Sequence, residues 1–322
     1  MFEWMICSQS FLIRFDEPKG TWSYHKVTIP VVYSQQMVAE SGHSVSPSAS
    51  KPAKVAEALR QRDFPVDFFP PDPASREDFL RVHDPQFVNG VFDGRVDNGF
   101  GNRSMEIARS LPYTSGSMIT AAKLALSRRK SRPVVAALCS GFHHATWNEA
   151  EGFCTFNGLM VAAAHLLHHG DVARIAIIDA DYHYGNGTDD ILDRTGLRAN
   201  VFHFSFGKEF KRPDQAADYL NRLRMLESEL ARFEPQVILY QAGADPHIED
   251  PLGGCLTTEE MAKRDELMFG MAVRNHWPLA FNLAGGYQKD ADGGISQVVQ
   301  LHLNTFSAAL RIIMADSSAP QG

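Results

Sequence analysis

The chain has 322 residues, 44% of them hydrophobic and 21% charged, which is enough to bury a large core in a single α/β unit. A formal net charge of -7 argues against a general polyanion-binding protein, so no direct nucleic-acid binding is expected. Four scattered cysteines without metal-type spacing indicate reduced thiols, and no run approaches the roughly 20 apolar residues of a membrane span, so we expect a soluble cytoplasmic protein without membrane contact.

The first third of the chain predicts strands, turns and helices without regular alternation. Apolar runs indicate two early strands, at 4–7 and 11–15. A Ser/Pro-rich loop at 41–52 then leads to a helix at 53–62, and helix breakers indicate a turn at 70–73. A second helix is expected to start at Ser75, with Asp78 in its first turn. Residues 91–103, rich in Gly, Asn and Asp, predict a loop.

Strands and helices alternate from residue 133 onwards. Apolar runs of strand type lie at 133–138, 175–178, 236–240 and 278–283. Apolar-faced helices are predicted at 117–129, 158–169 and 214–233. No internal repeat or linker divides the chain. The sequence therefore predicts one α/β domain, residues 1–316, with three αβα layers and a mostly parallel central sheet, followed by a flexible tail at 317–322.

The most informative segment is 175–188, where an apolar run leads to Asp179, Asp181 and His183. The two-residue period of a strand points alternate side chains to the same face, so these three can bind a cation. A carboxylate and an imidazole suit a borderline ion such as zinc, and a catalytic zinc site has three protein ligands and one open position. By itself, the segment is as typical of a hydrogen-bonded strand end as it is of a metal site. A further ligand has to come from another segment.

Three other predicted strands end in polar residues of the same kind. They lead to the pair His143-His144, to Asp245 and to Tyr287. In a parallel sheet the carboxyl ends of the strands lie along one edge, so these segments are expected to converge. Each feature alone also has a structural explanation, as a turn or helix cap, an ordinary loop or a packed ring. Their coincidence favours a functional site.

Five motifs in this order carry a family resemblance. They are Gly-Phe-His-His-Ala at 141–145, Glu-Gly-Phe-Cys-Thr-Phe-Asn at 151–157, Asp-Ala-Asp-Tyr-His-Tyr-Gly-Asn-Gly at 179–187, Ala-Gly-Ala-Asp at 242–245 with Asp-Pro-Leu-Gly at 250–253, and Ala-Gly-Gly-Tyr at 284–287. Together they resemble the zinc-dependent histone deacetylase family, including bacterial deacetylase-like and acetylpolyamine amidohydrolase members, over roughly residues 10 to 310. The resemblance implies an arginase/deacetylase-like fold and an amidohydrolase that removes an acetyl or similar acyl group from lysine or a polyamine.

The resemblance also implies roles for individual residues. Three match the ligands of a single zinc ion: Asp181, His183 and Asp245. Four match a catalytic histidine pair, the carboxylate behind its first member, and a tyrosine that supports the oxyanion: His143, His144, Asp179 and Tyr287. Five match a monovalent-cation site, typically filled by potassium, made of side chains and carbonyls: Asp179, Asp181, His183, Ser205 and Phe206. Two match the lining of a narrow acyl-lysine tunnel: Gly152 and Phe153.

The chain departs from the best-known nuclear members at Asn186, where those members carry an acidic residue. As the partner of His144, this amide is expected to shift the pH behaviour and not the activity. In the family, the region equivalent to 91–103 forms part of the tunnel rim, often with an acidic residue that holds the substrate. Asp93 or Asp97 could fill that position, but the resemblance assigns the role to neither, and a solvated loop explains the segment equally well.

Amide hydrolysis needs a nucleophilic water, a proton acceptor, oxyanion stabilisation and an acid for the leaving amine. Zinc lowers the pKa of its water to about 7 and polarises the carbonyl. We expect His144 to act as general base and then acid, and His143, held against Asp179, to act electrostatically. No Gly-x-Ser-x-Gly motif is present, and Cys139 and Cys154 lie in apolar surroundings where a thiol packs as a small hydrophobe.

Two other functions fit part of the pattern. An arginase-type ureohydrolase has a similar fold and holds two manganese ions, but the histidine pair and Tyr287 favour a deacetylase. An acyl-lysine-binding scaffold would usually lack a ligand or the tyrosine, and none is missing. The histidines at 165, 168 and 169 are expected to complement a helix dipole. The sequence does not distinguish a protein lysine from a polyamine substrate, and it is compatible with a homo-oligomer.

Overall fold

The computed structural model describes residues 12–14, 24–40, 44, 46–129 and 134–317. The strand expected at 4–7, and all but the first residue of the tail expected at 317–322, lie outside the described residues. Nine strands, β1 to β9, occur in the described part: Leu12–Arg14, Tyr24–Lys26, Ile29–Val32, Val66–Phe69, Val134–Ala137, Ile175–Asp179, Val201–Ser205, Val237–Gly243 and Leu279–Ala284. Nine α-helices, α1 to α9, occur there: Lys51–Gln61, Arg76–Leu80, Pro85–Phe92, Met105–Ser127, Gly158–His168, Asn186–Thr195, Ala216–Phe233, Thr258–Arg274 and Ser296–Ser317.

Seven strands form one parallel sheet in the order β4-β3-β5-β9-β8-β6-β7, and β1 and β2 pair in a separate antiparallel sheet. The central strands are Val-, Ile- and Ala-rich and buried along their whole length, as expected when helices cover both faces. One core packs against α1, α7, α8 and α9, and the other packs against α2 to α6. The predicted three-layer αβα fold with a parallel central sheet is confirmed.

The first half of the chain contributes more to the sheet than the sequence predicted. The strand–helix alternation starts before residue 133, because β3, α1 and β4 already form a parallel unit of the main sheet. Strand β3 has only four residues and contains Pro30, so its sequence gives a weak strand signal. Helix α4 begins at Met105 and not near residue 117. It contains Pro112, which normally breaks a helix and explains the late predicted start.

Helix α9 is the one described helix that is long and apolar enough to cross a membrane by length and composition. Half of its apolar stretch is buried inside the fold, where it packs along α8 and α1. Val298, Phe306 and Ile313 belong to the hydrophobic core on that face of the sheet. The central helix of a globular core has the same composition, so the composition of α9 is explained by its packing.

Candidate active site

The four polar strand ends lie side by side, as the sequence predicted. Strands β5, β9, β8 and β6 are consecutive neighbours in the sheet, so the segments that follow them share one edge. These segments carry the candidate functional side chains His143, Tyr287, Asp245 and Asp181. The carboxyl edge is where open parallel sheets bind ligands.

The chain after β6 is not the extended strand that its alternating residues predicted. Strand β6 ends at Asp179, and the following residues curl. The Oδ1 atom of Asp179 accepts a hydrogen bond from the backbone N–H of Asp181 at 3.2 Å, and Asp181 Oδ1 accepts one from the N–H of His183 at 2.9 Å. Aspartate side chains form such turns because they reach the backbone two residues ahead. Two successive turns therefore position the three side chains.

Asp181, His183 and Asp245 form a cluster in which one ligand atom from each lies within 4.8 Å of the others. His183 Nδ1 is 2.8 Å from Asp245 Oδ2 and 3.3 Å from Asp181 Oδ1. Both carboxylates are buried, whereas the His183 side chain is 31% exposed, so the cluster opens on one side. Burial and the charge on Asp181 raise the pKa of Asp245 to about 7. Two buried carboxylates and an imidazole are a donor set that fits a borderline divalent ion.

The two adjacent histidines have different charges. His143 is buried, with Nδ1 2.7 Å from Asp179 Oδ2. Burial lowers its pKa, but the carboxylates of Asp179 and Asp181 outweigh burial and raise that pKa to about 9. The ring of His144 lies 4.1 Å away, centroid to centroid. Burial and the charge on His143 lower the pKa of His144 to about 4, so one imidazole is charged at neutral pH and the other is not.

His144 and Asn186 are in contact, as expected from the sequence. Asn186 Oδ1 accepts a hydrogen bond from His144 Nδ1 at 2.7 Å. The amide nitrogen of Asn186 in turn donates to Oε2 of Glu151, an exposed residue, at 2.9 Å. The neutral imidazole is therefore the inner end of a series of hydrogen bonds that runs through Asn186 to Glu151 at the protein surface.

Asp179 lies beside the groups predicted for a monovalent cation. Ser205 Oγ donates to Asp179 Oδ2 at 3.1 Å. A Cβ atom on Gly207 would lie 2.3 Å from the carbonyl oxygen of His183, so the turn after β7 approaches that carbonyl as only glycine permits. The structure thus brings the side chains of Asp179 and Ser205 and the buried residue Phe206 next to the 181–183 turn.

Tyr287 and two aromatic rings line the approach to the cluster. The Phe153 ring lies 5.7 Å from the Tyr287 ring and 6.2 Å from the Phe100 ring, centroid to centroid. The backbone N–H of Tyr287 donates to Asp250 Oδ2 at 2.7 Å. Burial and the charge on Asp245 raise the pKa of the Tyr287 phenol well above its usual value, which keeps this phenol a protonated donor. Phe153, predicted for the tunnel, is therefore next to the predicted oxyanion donor.

Three buried residues support the site and were assigned no role from the sequence. Gln241 donates to Asp179 Oδ1 at 2.9 Å. A Gln inside an otherwise apolar strand is the sequence signal that marks this supporting role. Lys51 donates to the carbonyl of Gly285, two residues before the tyrosine, and burial lowers the Lys51 pKa to about 8. Arg264 donates to two carbonyls at the ends of β6 and β8, at 3.2 and 2.8 Å. All three contacts hold backbone or carboxylate groups in place.

A second Asp/His cluster, Asp78, His165 and His169, lies at the end of α5. His165 Nδ1 is 2.8 Å from Asp78 Oδ1, and its Nε2 is 2.9 Å from the ammonium of Lys123. Because both ring nitrogens are engaged and one neighbour is a cation, these contacts agree with a structural role. In the 91–103 loop, both candidate rim carboxylates are paired with arginines at 2.7 Å.

Comparisons with known proteins agree with this geometry. The chain matches the histone deacetylase domain over residues 46–216 and 209–305. It is 28% identical over 280 residues to a probable deacetylase of Methanothermobacter thermautotrophicus, covering 74% of this chain and 80% of the relative. It is 29% identical over 262 residues to a histone deacetylase-like amidohydrolase of Pseudomonas aeruginosa, covering 71% and 67%. The crystal structure of an acetylpolyamine aminohydrolase from Burkholderia pseudomallei has the same fold, with a TM-score of 0.67 at 18% identity over 88% of this chain and 99% of that chain. The chain belongs to the histone deacetylase domain family.

Proposed function

We propose that the protein is a zinc-dependent amidohydrolase that removes an acetyl or similar acyl group from a lysine side chain or a polyamine. The observation that carries the proposal is that one sheet edge holds a three-ligand cluster, a histidine pair of unequal charge and a phenol. These groups correspond to the requirements of amide hydrolysis: a cation site, a neutral base, and donors for the oxyanion.

Asp181, His183 and Asp245 would hold the zinc ion. When bound, zinc supplies a water with a pKa near 7 and polarises the amide carbonyl. The carboxylate of Asp179, the Ser205 hydroxyl and nearby carbonyls, including those of His183 and Phe206, would hold a potassium ion. Such a monovalent ion would offset part of the negative charge of the buried carboxylates Asp179 and Asp181.

His144 is the group that moves protons. Its lowered pKa keeps the imidazole neutral at physiological pH, and a base must be neutral to accept a proton. Once protonated, His144 can return the proton to the leaving amine. His143 stays charged through Asp179, so it contributes positive charge beside the base and does not compete with it.

Tyr287 donates its phenolic hydrogen to the carbonyl oxygen as negative charge develops there. Gly152 and Phe153 form the wall of the acyl-lysine tunnel. The Gly152 backbone has a φ of 55°, and a Cβ at that position would lie 2.3 Å from His144 Cδ2. The tunnel wall and the base are therefore in direct contact.

The test is a turnover panel with the zinc-loaded protein, comprising acetyl-lysine peptides, acetylated polyamines and longer-chain acyl-lysines. Arginine, the ureohydrolase substrate, is tested with both the zinc-loaded and the manganese-loaded protein. We expect hydrolysis of at least one acylated amine and none of arginine. Hydrolysis of arginine would support a dinuclear ureohydrolase. Binding of acyl-lysine without turnover would support a scaffold.

A further inference from the structure

We propose that Glu151 is a positioning residue that fixes the ring proton of His144 on Nδ1, acting through Asn186. The effect on rate rests on the function proposed above, whereas the effect on the tautomer does not. Each contact between Glu151, Asn186 and His144 joins two side chains of this protein.

The hydrogen-bond chain has only one consistent direction. Glu151 is 2.9 Å from the Asn186 amide, and an ionised carboxylate only accepts hydrogen bonds. The Asn186 nitrogen must therefore face Glu151, which turns its oxygen towards His144. An amide oxygen also only accepts, so the hydrogen of a neutral His144 must be on Nδ1.

The direction of this chain matters for proton transfer. With the hydrogen on Nδ1, the Nε2 atom of His144 keeps its lone pair and can accept a proton. An Asn186 amide rotated by half a turn would donate to Nδ1 and leave the hydrogen on Nε2, which is the unproductive tautomer. An aspartate at 186 would need no such control, because both of its oxygens accept. The amide at this position needs a second residue to set its orientation.

The backbone around Glu151 forms a tight turn beside His144. Glu151 and Cys154 exchange two backbone hydrogen bonds of 3.1 and 2.8 Å across a tight turn. The two residues inside the turn, Gly152 and Phe153, have positive φ angles of 55° and 63°. Gly152 lies against the His144 ring, so one turn carries the tunnel wall, the ring contact and the carboxylate.

The first experiment is nitrogen-15 NMR of the histidine rings in the zinc-loaded protein, for the wild type, Glu151→Ala, Glu151→Gln and Glu149→Ala. Glu149 is exposed on the same loop and serves as the matched control for charge. We expect the Nδ1–H form of His144 in the wild type and the control, and a mixture in both Glu151→Ala and Glu151→Gln, because a glutamine amide can donate to Asn186 as well as accept from it. An unchanged tautomer in Glu151→Ala would overturn the proposal.

The second experiment measures kcat and KM for the best substrate of the turnover panel. We expect Glu151→Ala to lower kcat roughly 5- to 50-fold with little change in KM, since one charge-assisted hydrogen bond sets the productive orientation. In an Asn186→Asp background the same change should cause no such loss, because the carboxylate accepts from Nδ1 in either rotation. An equal loss in both backgrounds would mean that Glu151 only stabilises the turn. If the wild type hydrolyses nothing, the proposed function fails, and the NMR result still decides the role of Glu151.

Discussion

His144 Nδ1 and Asn186 Oδ1 are 2.7 Å apart, and His143 Nδ1 is the same 2.7 Å from Asp179 Oδ2. Two adjacent imidazoles thus make equally short contacts with a neutral amide and with a carboxylate. Burial lowers the pKa of both rings. The charge on His143 lowers the pKa of His144 further, to about 4, although the Asn186 hydrogen bond acts in the opposite direction, whereas the carboxylates of Asp179 and Asp181 raise the pKa of His143 to about 9. Because the amide at 186 adds no negative charge beside the ring, the second histidine stays neutral and available as a base.

The first prediction concerns Asn186→Asp. A carboxylate there would favour the imidazolium, so the pKa of His144 should rise and the base should stay protonated to higher pH. The acidic limb of the kcat/KM profile should move to higher pH. Asn148→Asp adds the same charge at an exposed position and should leave the limb in place. An acidic limb that stays in place or moves to lower pH in Asn186→Asp, with zinc content equal, would contradict the pairing.

The second prediction concerns Tyr287→Phe. The phenol acts mainly on charge that develops in the transition state, so its loss should lower kcat about 100- to 1,000-fold. Zinc content and KM should remain close to those of the wild type, because the ring that contacts Phe153 is retained. A rise in KM with unchanged kcat would show that Tyr287 binds the substrate in its ground state.

The third prediction is that zinc affinity rises with pH. In the metal-free protein, burial opposes the charged His183 ring, but the two carboxylates outweigh burial and raise its pKa to about 10, while the pKa of Asp245 is about 7. Zinc displaces both protons, so binding should release about one proton between pH 7 and 10 and about two below pH 7. Competition with a chelator should show the steeper slope at low pH. Affinity independent of pH between about 6 and 9 would contradict the assignment.

The fourth prediction compares Gly152→Ala with Gly170→Ala. Both glycines have positive φ, so each alanine should cost about 1–2 kcal/mol in backbone strain. Only the alanine at 152 meets another residue, since a Cβ at 170 has open space around it. Displacement of His144 should lower kcat roughly 10- to 100-fold in Gly152→Ala alone. Equal kcat values for the two variants would mean that the His144 ring moves aside without consequence.

The sequence predicted the sheet edge better than it predicted the first half of the fold. Strand ends that carry Asp179, Asp245 and Tyr287 follow long apolar runs, and such runs identify buried parallel strands. By contrast, β3 is short and contains a proline, and α4 contains Pro112, so local propensity pointed away from elements that tertiary packing stabilises.

The path of the backbone after β6 could not be predicted from the alternating positions of Asp179, Asp181 and His183. Asp181 and His183 share a side of the site because carboxylates accept from the backbone two residues ahead, and not because a strand continues. Contacts such as that of Lys51 with Gly285 join residues far apart in the chain, and no local pattern encodes them. The Glu151 contact is similar, although Glu151 lies within a motif identified from the sequence.

The most direct test of the zinc amidohydrolase is a titration of the metal-stripped protein with zinc while release of acetate from its best substrate is followed. We expect activity to rise in proportion to zinc and to level off at one equivalent per chain. Asp245→Ala, which removes a fully buried ligand of the cluster, should stay folded, retain no zinc and show no activity, whereas Asp171→Ala, at an exposed aspartate, should match the wild type. Full activity in Asp245→Ala, or a requirement for two equivalents of metal, would contradict an amidohydrolase that uses one zinc ion held by Asp181, His183 and Asp245.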